Sequence, residues 1–547
     1  MEGGNNLSKN RALLVLACIY FLFFIPPNLT GAKDSAMLAV FNLDEFAQFP
    51  HLLRMLTPAD TLYQTLRNFV VYLHYFYGYP FYFLSALAVL PLRLLAGMGE
   101  QQTQSFLLIL RQCVSVLPML LAVYFITEMQ VGKKHIVRFI ALALFLLCIP
   151  LIFKNNLWWH PDSLSFLFAA LTLYCLNKDD LHLGKQFLLA AVFCGLAIGT
   201  KQLGWFFFLT IPVYLLLAFL RKKVSASLVL FKALLFLMLM LVTIIVSNPL
   251  LLLPIERQEI IAVQRNQLAA SFQGFVIKNP EMVVSLGRYP QNLTVSFGYW
   301  PILVLALLGH VLSLTRQQTR LRGLLFLSWL IPLSVSLNLS GTRSLHYFLP
   351  VLVPLMAGLA TFFDPQIFPI INKENAFLRM LRKIFITLLI VLIAAQTVLF
   401  LFHDAQIYSS YLQREQQSPS LEFFNTLWHG YLQDLQSDTA VHVLHEPQIY
   451  FPQREGYFVH MSWEPVTFTY LNEINPHLLL LDKNTVATYT EEDLLEKAVD
   501  PQRMLAFIEF YQSVGEEDLE DYVLFFQDDY GIAFARRDFY DLYLKEK

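Results

Sequence analysis

Eleven apolar runs dominate this chain, at roughly 12–27, 105–127, 138–153, 164–176, 186–200, 204–220, 227–252, 296–314, 323–338, 346–363 and 384–402. Each approaches the ~20 residues that a helix needs to cross a bilayer core of about 30 Å. Inside hydrocarbon every backbone N–H and C=O must be satisfied within the segment, so such runs fold as helices packed into a bundle. Composition agrees: 56% of the 547 residues are hydrophobic, only 15% are charged and the mean hydropathy is +0.51. A soluble domain carries about 25% charge.

Lysines and arginines orient the bundle, because basic loops stay on the cytoplasmic side. With Lys9 and Arg11 inside, "GKKHIVR" (132–138), "RKK" (221–223), "TRQQTRLR" (315–322) and "NKENAFLRMLRK" (372–383) also fall inside. "NKDDLHLGK" (177–185) is inside too and close to neutral. Residues 28–104, "FKNNLWWHPDS" (153–163), "GTKQLG" (199–204), 254–292 and "SGTRSLHYF" (340–348) fall outside, as does the tail from about 404. The segment 68–97 is apolar enough to span, but counting it would put the later basic loops outside. We therefore read 50–97 as helices lying along the outer surface, where Tyr and Phe suit the interface. A retained first helix is expected rather than a cleaved signal peptide, since no small-x-small site follows it closely.

Charge divides the chain. Residues 404–547 hold 26 of the 41 acidic groups and 9 of the 39 basic ones, a net −17 against +15 for the rest. This predicts a membrane domain over 1–403, with its first external loop at 28–104, and an extracytoplasmic α/β domain over 404–547. In the tail, 439–446, 477–483 and 521–527 read as strands, 491–514 as a helix, and "DDYG" (528–531) as a hairpin turn. The five cysteines all lie in apolar runs and offer neither a disulfide framework nor a metal-binding pair. No glycine-rich nucleotide loop and no nucleic-acid signature is present.

The ionisable residues at the external helix mouths carry the chemistry, because a charge at the edge of the apolar slab is costly unless it faces protein or water. Asp44 and Glu45, in "FNLDEFAQFP" (41–50), are adjacent, so on a helix they point about 100° apart. One could serve as a general base while the other orients it or binds a metal. They could equally be the acidic first turn of a surface helix. "WWHPDS" (158–163) opens a span, with Pro161 and Asp162 suited to a helix start. His160 and Asp162 could also offer ligands to a divalent ion. Lys201 interrupts a long apolar stretch, either snorkelling or meeting a phosphate. Arg288 and Arg343 offer the fork that fits phosphate oxygens.

The order of these elements resembles the membrane-embedded glycosyltransferases of the GT-C superfamily. "DE" follows the first span, "HPD" stands at an external helix mouth, "GLAIGTK" ends a span and "HYFLP" starts a late one. The likeness covers roughly residues 10–400 and is nearest the branch of the bacterial protein O-mannosyltransferases and lipid A aminoarabinose transferases. It implies a polyprenyl-phosphate-sugar donor, undecaprenyl or dolichyl, and inverting transfer to a hydroxyl on a lipid, glycan or protein. Asp44 would be the base, or Glu45 in its place. Lys201, Arg288, Arg343, His346 and Tyr347 would bind the phosphate, and Asp162 with His160 would hold the donor or a metal. His346 and Tyr347 stand where many relatives have Arg-Tyr, and "YGYPFYF" (77–83) lacks the lysine of the family's interfacial turn. A transporter of a lipid-linked or anionic substrate is the main alternative. It favours matched halves and charges near the midplane, and neither is seen here. A scaffold presenting the acidic tail, or an O-antigen ligase or polymerase, fits the first external loop less well. Expected localisation is multi-pass in the cell (inner) membrane, N-terminus cytoplasmic.

Overall fold

The computed structural model describes residues 2–96, 102–133, 135–222, 224–279, 296–339, 344–364, 376–435 and 440–545. The first long helix, α1 (Glu2–Phe23), is followed by the surface helices α2 (Leu43–Leu56) and α3 (Leu62–Val70) and by the apolar α4 (Tyr79–Ala96). Next, α5 (Thr103–Leu110) continues through a π-helical turn (Arg111–Val116) into α6 (Leu117–Val131). The bundle then adds α7 (Ile136–Leu147), α8 (Asp162–Asp179), α9 (Lys185–Lys201), α10 (Phe207–Lys222) and α11 (Ala226–Ser247). After α12 (Pro254–Gln273) come α13 (Trp300–Ser313), α14 (Gln317–Leu339), α15 (Leu349–Ala357) and the 38-residue α16 (Ala376–Gln413).

Seven helical segments among the described residues are long and apolar enough to cross a bilayer: Asn10–Leu29, Thr103–Val131, Leu203–Arg221, Ala226–Ser247, Gln317–Leu339, Leu345–Phe363 and Met380–Gln413. The other four expected runs form helices too, but α7, α9 and α13 have 12, 17 and 14 residues. The 18-residue α8 carries Asp162, Lys178 and Asp179. These four fall short of a full apolar crossing by length or by charge. Helix α8 is nonetheless central, packing along its length against α6 and α9.

Two close approaches place the first loop. A Cβ on Gly78 would stand 1.5 Å from the carbonyl oxygen of Gly199, so only glycine lets the start of α4 meet the end of α9. There Gly78 N donates to Thr200 O and Tyr79 N to Asn248 Oδ1. The second approach is at the end of α16, which at 1.5 Å per residue runs about 57 Å and outreaches the slab. Beyond it, Arg414 packs on the rings of Tyr411 and Phe41 and donates to Thr30. Glu415 accepts from Gly31 N and pairs with Lys33. Asn28, which begins a glycosylation sequon, is fully buried and donates to Asn156 O, so no glycan fits there.

The tail contains a five-stranded sheet of order β2-β1-β3-β5-β4. Its strands are β1 (Val441–His445), β2 (Tyr457–Met461), β3 (Leu478–Asp482), β4 (Tyr522–Gln527) and β5 (Gly531–Arg536). β1 pairs parallel with β2 and β3, while β5 runs antiparallel to β3 and β4. The β4–β5 turn is closed by Asp528 Oδ1, which accepts from Tyr530 N and Gly531 N. The tail helix is shorter than the pattern over 491–514 suggests. It spans Pro501–Gly515 (α17), because Asp500 caps it and Pro501 fits the first turn.

Candidate active site

The two loop carboxylates have separate environments. Glu45, in the first turn of α2, is fully buried. Its Oε1 accepts from Arg111 Nε at 2.8 Å and from Trp159 N at 2.6 Å, and its Oε2 from Arg111 Nη2 at 2.5 Å. Arg111 also donates through Nη1 to Asn28 O and Thr30 O. Glu45 therefore ties α2 to the π-turn, to the end of the first span and to the entrance of α8. Asp44, about 100° away around the helix, is exposed and lines a cavity of about 870 Å³. Lys154, Trp158, His346 and Tyr411 line the same cavity.

A second cluster stands beside it. Asp162, at the start of α8, bonds Lys201 Nζ through Oδ1, and its Oδ2 lies 2.7 Å from Nδ1 of His160. Lys201 ends α9. Its ammonium sits 4.7 Å from the ring centre of Tyr347 and 5.9 Å from that of Tyr77, within the range of a cation–π contact. Tyr77 Oη is 2.7 Å from His160 Nε2. Burial, then the nearby charges of Asp44 and Asp162, push the Tyr77 phenol well above its usual pKa, so it stays neutral. Trp158 stacks on His160 at 4.2 Å, and His346 packs 5.3 Å from Trp158 and 5.4 Å from His160.

On the far side, Asp162, Lys201, Trp205, Leu333, Leu337 and Tyr347 line a smaller, largely apolar groove of about 270 Å³. The cluster thus stands between a cavity of mixed lining that holds Asp44 and a largely apolar groove that holds Lys201. The helix mouths bring together Asp44, His160, Asp162, Lys201, His346 and Tyr347. Arg288 and Arg343 lie outside the described residues.

Sequence reasoning missed Arg111, Tyr77 and Lys154. Arg111 had a signal, an arginine inside the apolar run "FLLILRQCV", and an ionisable residue there is a functional or structural anchor by default. Tyr77 had none, because its place depends on contacts distant in sequence, with His160 and through the neighbouring Gly78–Thr200 bond.

A divalent cation was expected at Asp162 and His160, and His346 completes a set of three ligand atoms within 4.8 Å of one another. Nδ1 of His160 and Oδ2 of Asp162 are buried, and neither makes a well-directed hydrogen bond among the described residues. Two imidazoles and a carboxylate suit zinc or a similar transition metal, so the residues present fit such an ion.

No family model and no curated protein sequence matches the chain. Solved structures do. ArnT from Cupriavidus metallidurans, crystallised with undecaprenyl phosphate, aligns with a TM-score of 0.53 and 13% identity over 96% of this chain and 97% of its own. An oligosaccharyltransferase of Archaeoglobus fulgidus aligns at 0.49 and 14% identity over 87% and 70%. Because the ArnT alignment covers 96% of this chain, the bundle, the external loop and the terminal sheet share the fold of that structure.

Proposed function

We propose that this chain moves a sugar from a polyprenyl-phosphate donor to a hydroxyl acceptor at the Asp44 cavity, with inversion. The observation that carries the reading is the division of the site: an exposed carboxylate in a cavity of mixed polar and apolar lining on one side, a cation in a largely apolar groove on the other. An amphiphilic donor fits that division. Its isoprenoid lies along Leu333 and Leu337, its phosphate meets Lys201, and its sugar enters the cavity.

Asp44 accepts the proton of the acceptor hydroxyl as that oxygen bonds to the anomeric carbon. The bond from this carbon to the phosphate oxygen breaks, and polyprenyl phosphate leaves. The charge growing on the leaving phosphate needs donors already in place. Lys201 is the nearest, held by Asp162 and flanked by Tyr347, with His346 beside it. Arg288 and Arg343 are proposed on sequence grounds as further cations. A metal held by His160, Asp162 and His346 would supply positive charge next to that phosphate. Glu45 holds the loop rather than taking the proton, since both its oxygens are engaged by Arg111.

The test is transfer by the full chain in proteoliposomes, with polyprenyl-phosphate sugars as donors and the released polyprenyl phosphate measured. Asp44→Asn should lower turnover at least ~100-fold, the usual contribution of a positioned base. Lys201→Ala should raise the donor KM ~10-fold or more, the loss of a charge-assisted hydrogen bond. Donor movement across the bilayer without sugar transfer would favour a transporter and overturn the proposal.

A further inference from the structure

At the end of the bundle opposite Asp44, four helix ends meet. The C-termini of α6 and of the 3-10 turn Gly358–Phe363 face the N-termini of α7 and α14. They enclose a polar pocket of about 180 Å³ lined by Gln130, His135, Arg138, Thr319, Arg322 and Asp364. Both arginines have an ordinary duty there, capping helix carbonyls. Arg138 Nη1 donates to Phe363 O at 2.9 Å, and Arg322 Nη1 donates to Met129 O and Gln130 O at 3.2 and 2.7 Å.

Capping leaves part of Arg322 unused. Its Nε and Nη2 are buried, and neither has a hydrogen-bond partner among the described residues. A buried donor without an acceptor costs ~1–3 kcal/mol, more when charged. Two guanidinium groups outweigh Asp364, the one carboxylate among the described lining residues, while the partial charges of the two helix N-termini and the two C-termini offset one another. The pocket therefore suits an anion with several acceptor oxygens.

Val131, Arg138 and Ala360 line a second space as well. This is an apolar groove of about 620 Å³ between α7, the 3-10 turn and α16, walled by Phe145, Phe363, Ile393 and Leu401. It runs along helices that the sequence places in the bilayer. A cationic pocket continuous with an apolar trough matches one amphiphile, with its head in the first and its chains in the second. We propose that this is a binding site for an anionic phospholipid, its phosphate on Arg322 and Arg138 and its acyl chains in the groove. The proposal is independent of the catalytic reading.

Native mass spectrometry of the full chain in detergent, with equimolar phosphatidylglycerol and phosphatidylcholine, tests it. Phosphatidylglycerol should be retained ~10-fold better, the ratio a single charge-assisted contact supplies. Arg138→Gln should abolish that preference. Ala394→Phe, which adds bulk at an exposed groove position, should lower retention without lowering the melting temperature. Inorganic phosphate should not displace the lipid. Equal retention of the two lipids, or unchanged retention in both variants, overturns the proposal. Displacement by millimolar phosphate, with Ala394→Phe silent, identifies a free-phosphate site and overturns the lipid assignment. Arg322→Gln strips the cap of α6 and Arg138→Gln that of the 3-10 turn, so the lipid ratio of Arg138→Gln is read beside its melting temperature, and Ala394→Phe, which removes no cap, separates loss of the site from loss of the fold.

Discussion

Asp44 and Glu45 share a helical turn but not an environment, and the difference predicts opposite phenotypes. Glu45→Gln leaves the Arg111 guanidinium buried without a counter-charge. Removing one partner of a buried pair costs about 3–5 kcal/mol, so this variant should melt well below wild type. Asp44→Asn changes a solvent-facing group and should melt like wild type while losing transfer. Thermal unfolding in detergent, run beside the transfer assay, separates the two; equal melting points would remove the anchoring role of Glu45. From the sequence the pair was an open choice between base, partner and helix start. The partner that distinguishes them is Arg111, 66 residues away, and no local pattern joins the two. Lys201 and Asp162 are likewise 39 residues apart. The sequence placed both at one face through the alternation of basic loops, but their contact depends on how α8 and α9 pack.

Among the elements, the seam between α4 and α9 is the tightest approach near the site. Gly78→Ala places a methyl group 1.5 Å from a backbone oxygen, which no side-chain rotation relieves. That variant should give little folded protein, whereas Gly430→Ala, with open space around its Cβ, should be neutral. Size-exclusion profiles of the two in detergent check this, and a normal Gly78→Ala profile would mean that α4 docks differently. Long elements were readable because their apolar length exceeds anything a soluble strand or loop needs. Strand β2 was not, because its burial is partial and it lies at the sheet edge, with Phe458 55% exposed. Its burial runs from buried Tyr457 through exposed Phe458 to three half-buried residues, so neither face is uniformly apolar and the sequence shows little alternation. The start of α17 was misplaced for a related reason. The acids at 491–493 look like a first turn, yet Asp493 has a positive φ of 67° and the cap is Asp500.

At the scale of the whole molecule, the sheet is docked on the loop that carries Asp44. Trp463 packs 5.3 Å from Phe46 of α2, and Tyr450 Oη donates to Asp34 at 2.8 Å. In a cysteine-free background, Lys133→Cys and Glu455→Cys should react with a membrane-impermeant maleimide from opposite sides of a sealed vesicle; same-side labelling would refute the threading. The sheet also carries a titratable core. Glu446 follows β1, buried, accepting from Asp482 N at 2.6 Å and from Tyr511 Oη. Burial pushes its carboxyl up to about 8, against an ordinary 4.5, and the two donors only partly oppose that. A carboxyl whose pKa is higher folded than unfolded holds its proton longer in the native state. Its contribution is complete below about 4.5 and is lost as pH rises through about 8. The slope is at most ~1.4 kcal/mol per pH unit. Glu446→Gln, neutral throughout, should remove it. Hydrogen exchange of Val441–His445 in the full chain, corrected for its intrinsic pH dependence, should therefore accelerate from pH 5 to 8 in wild type and stay flat in the variant. Parallel behaviour would assign the slope to another group. Because Glu446 and Tyr450 follow β1 and Trp463 follows β2, at the same end of these two parallel strands, loosening that end at high pH should also loosen α2. Transfer by Glu446→Gln should then persist to a higher pH than transfer by wild type.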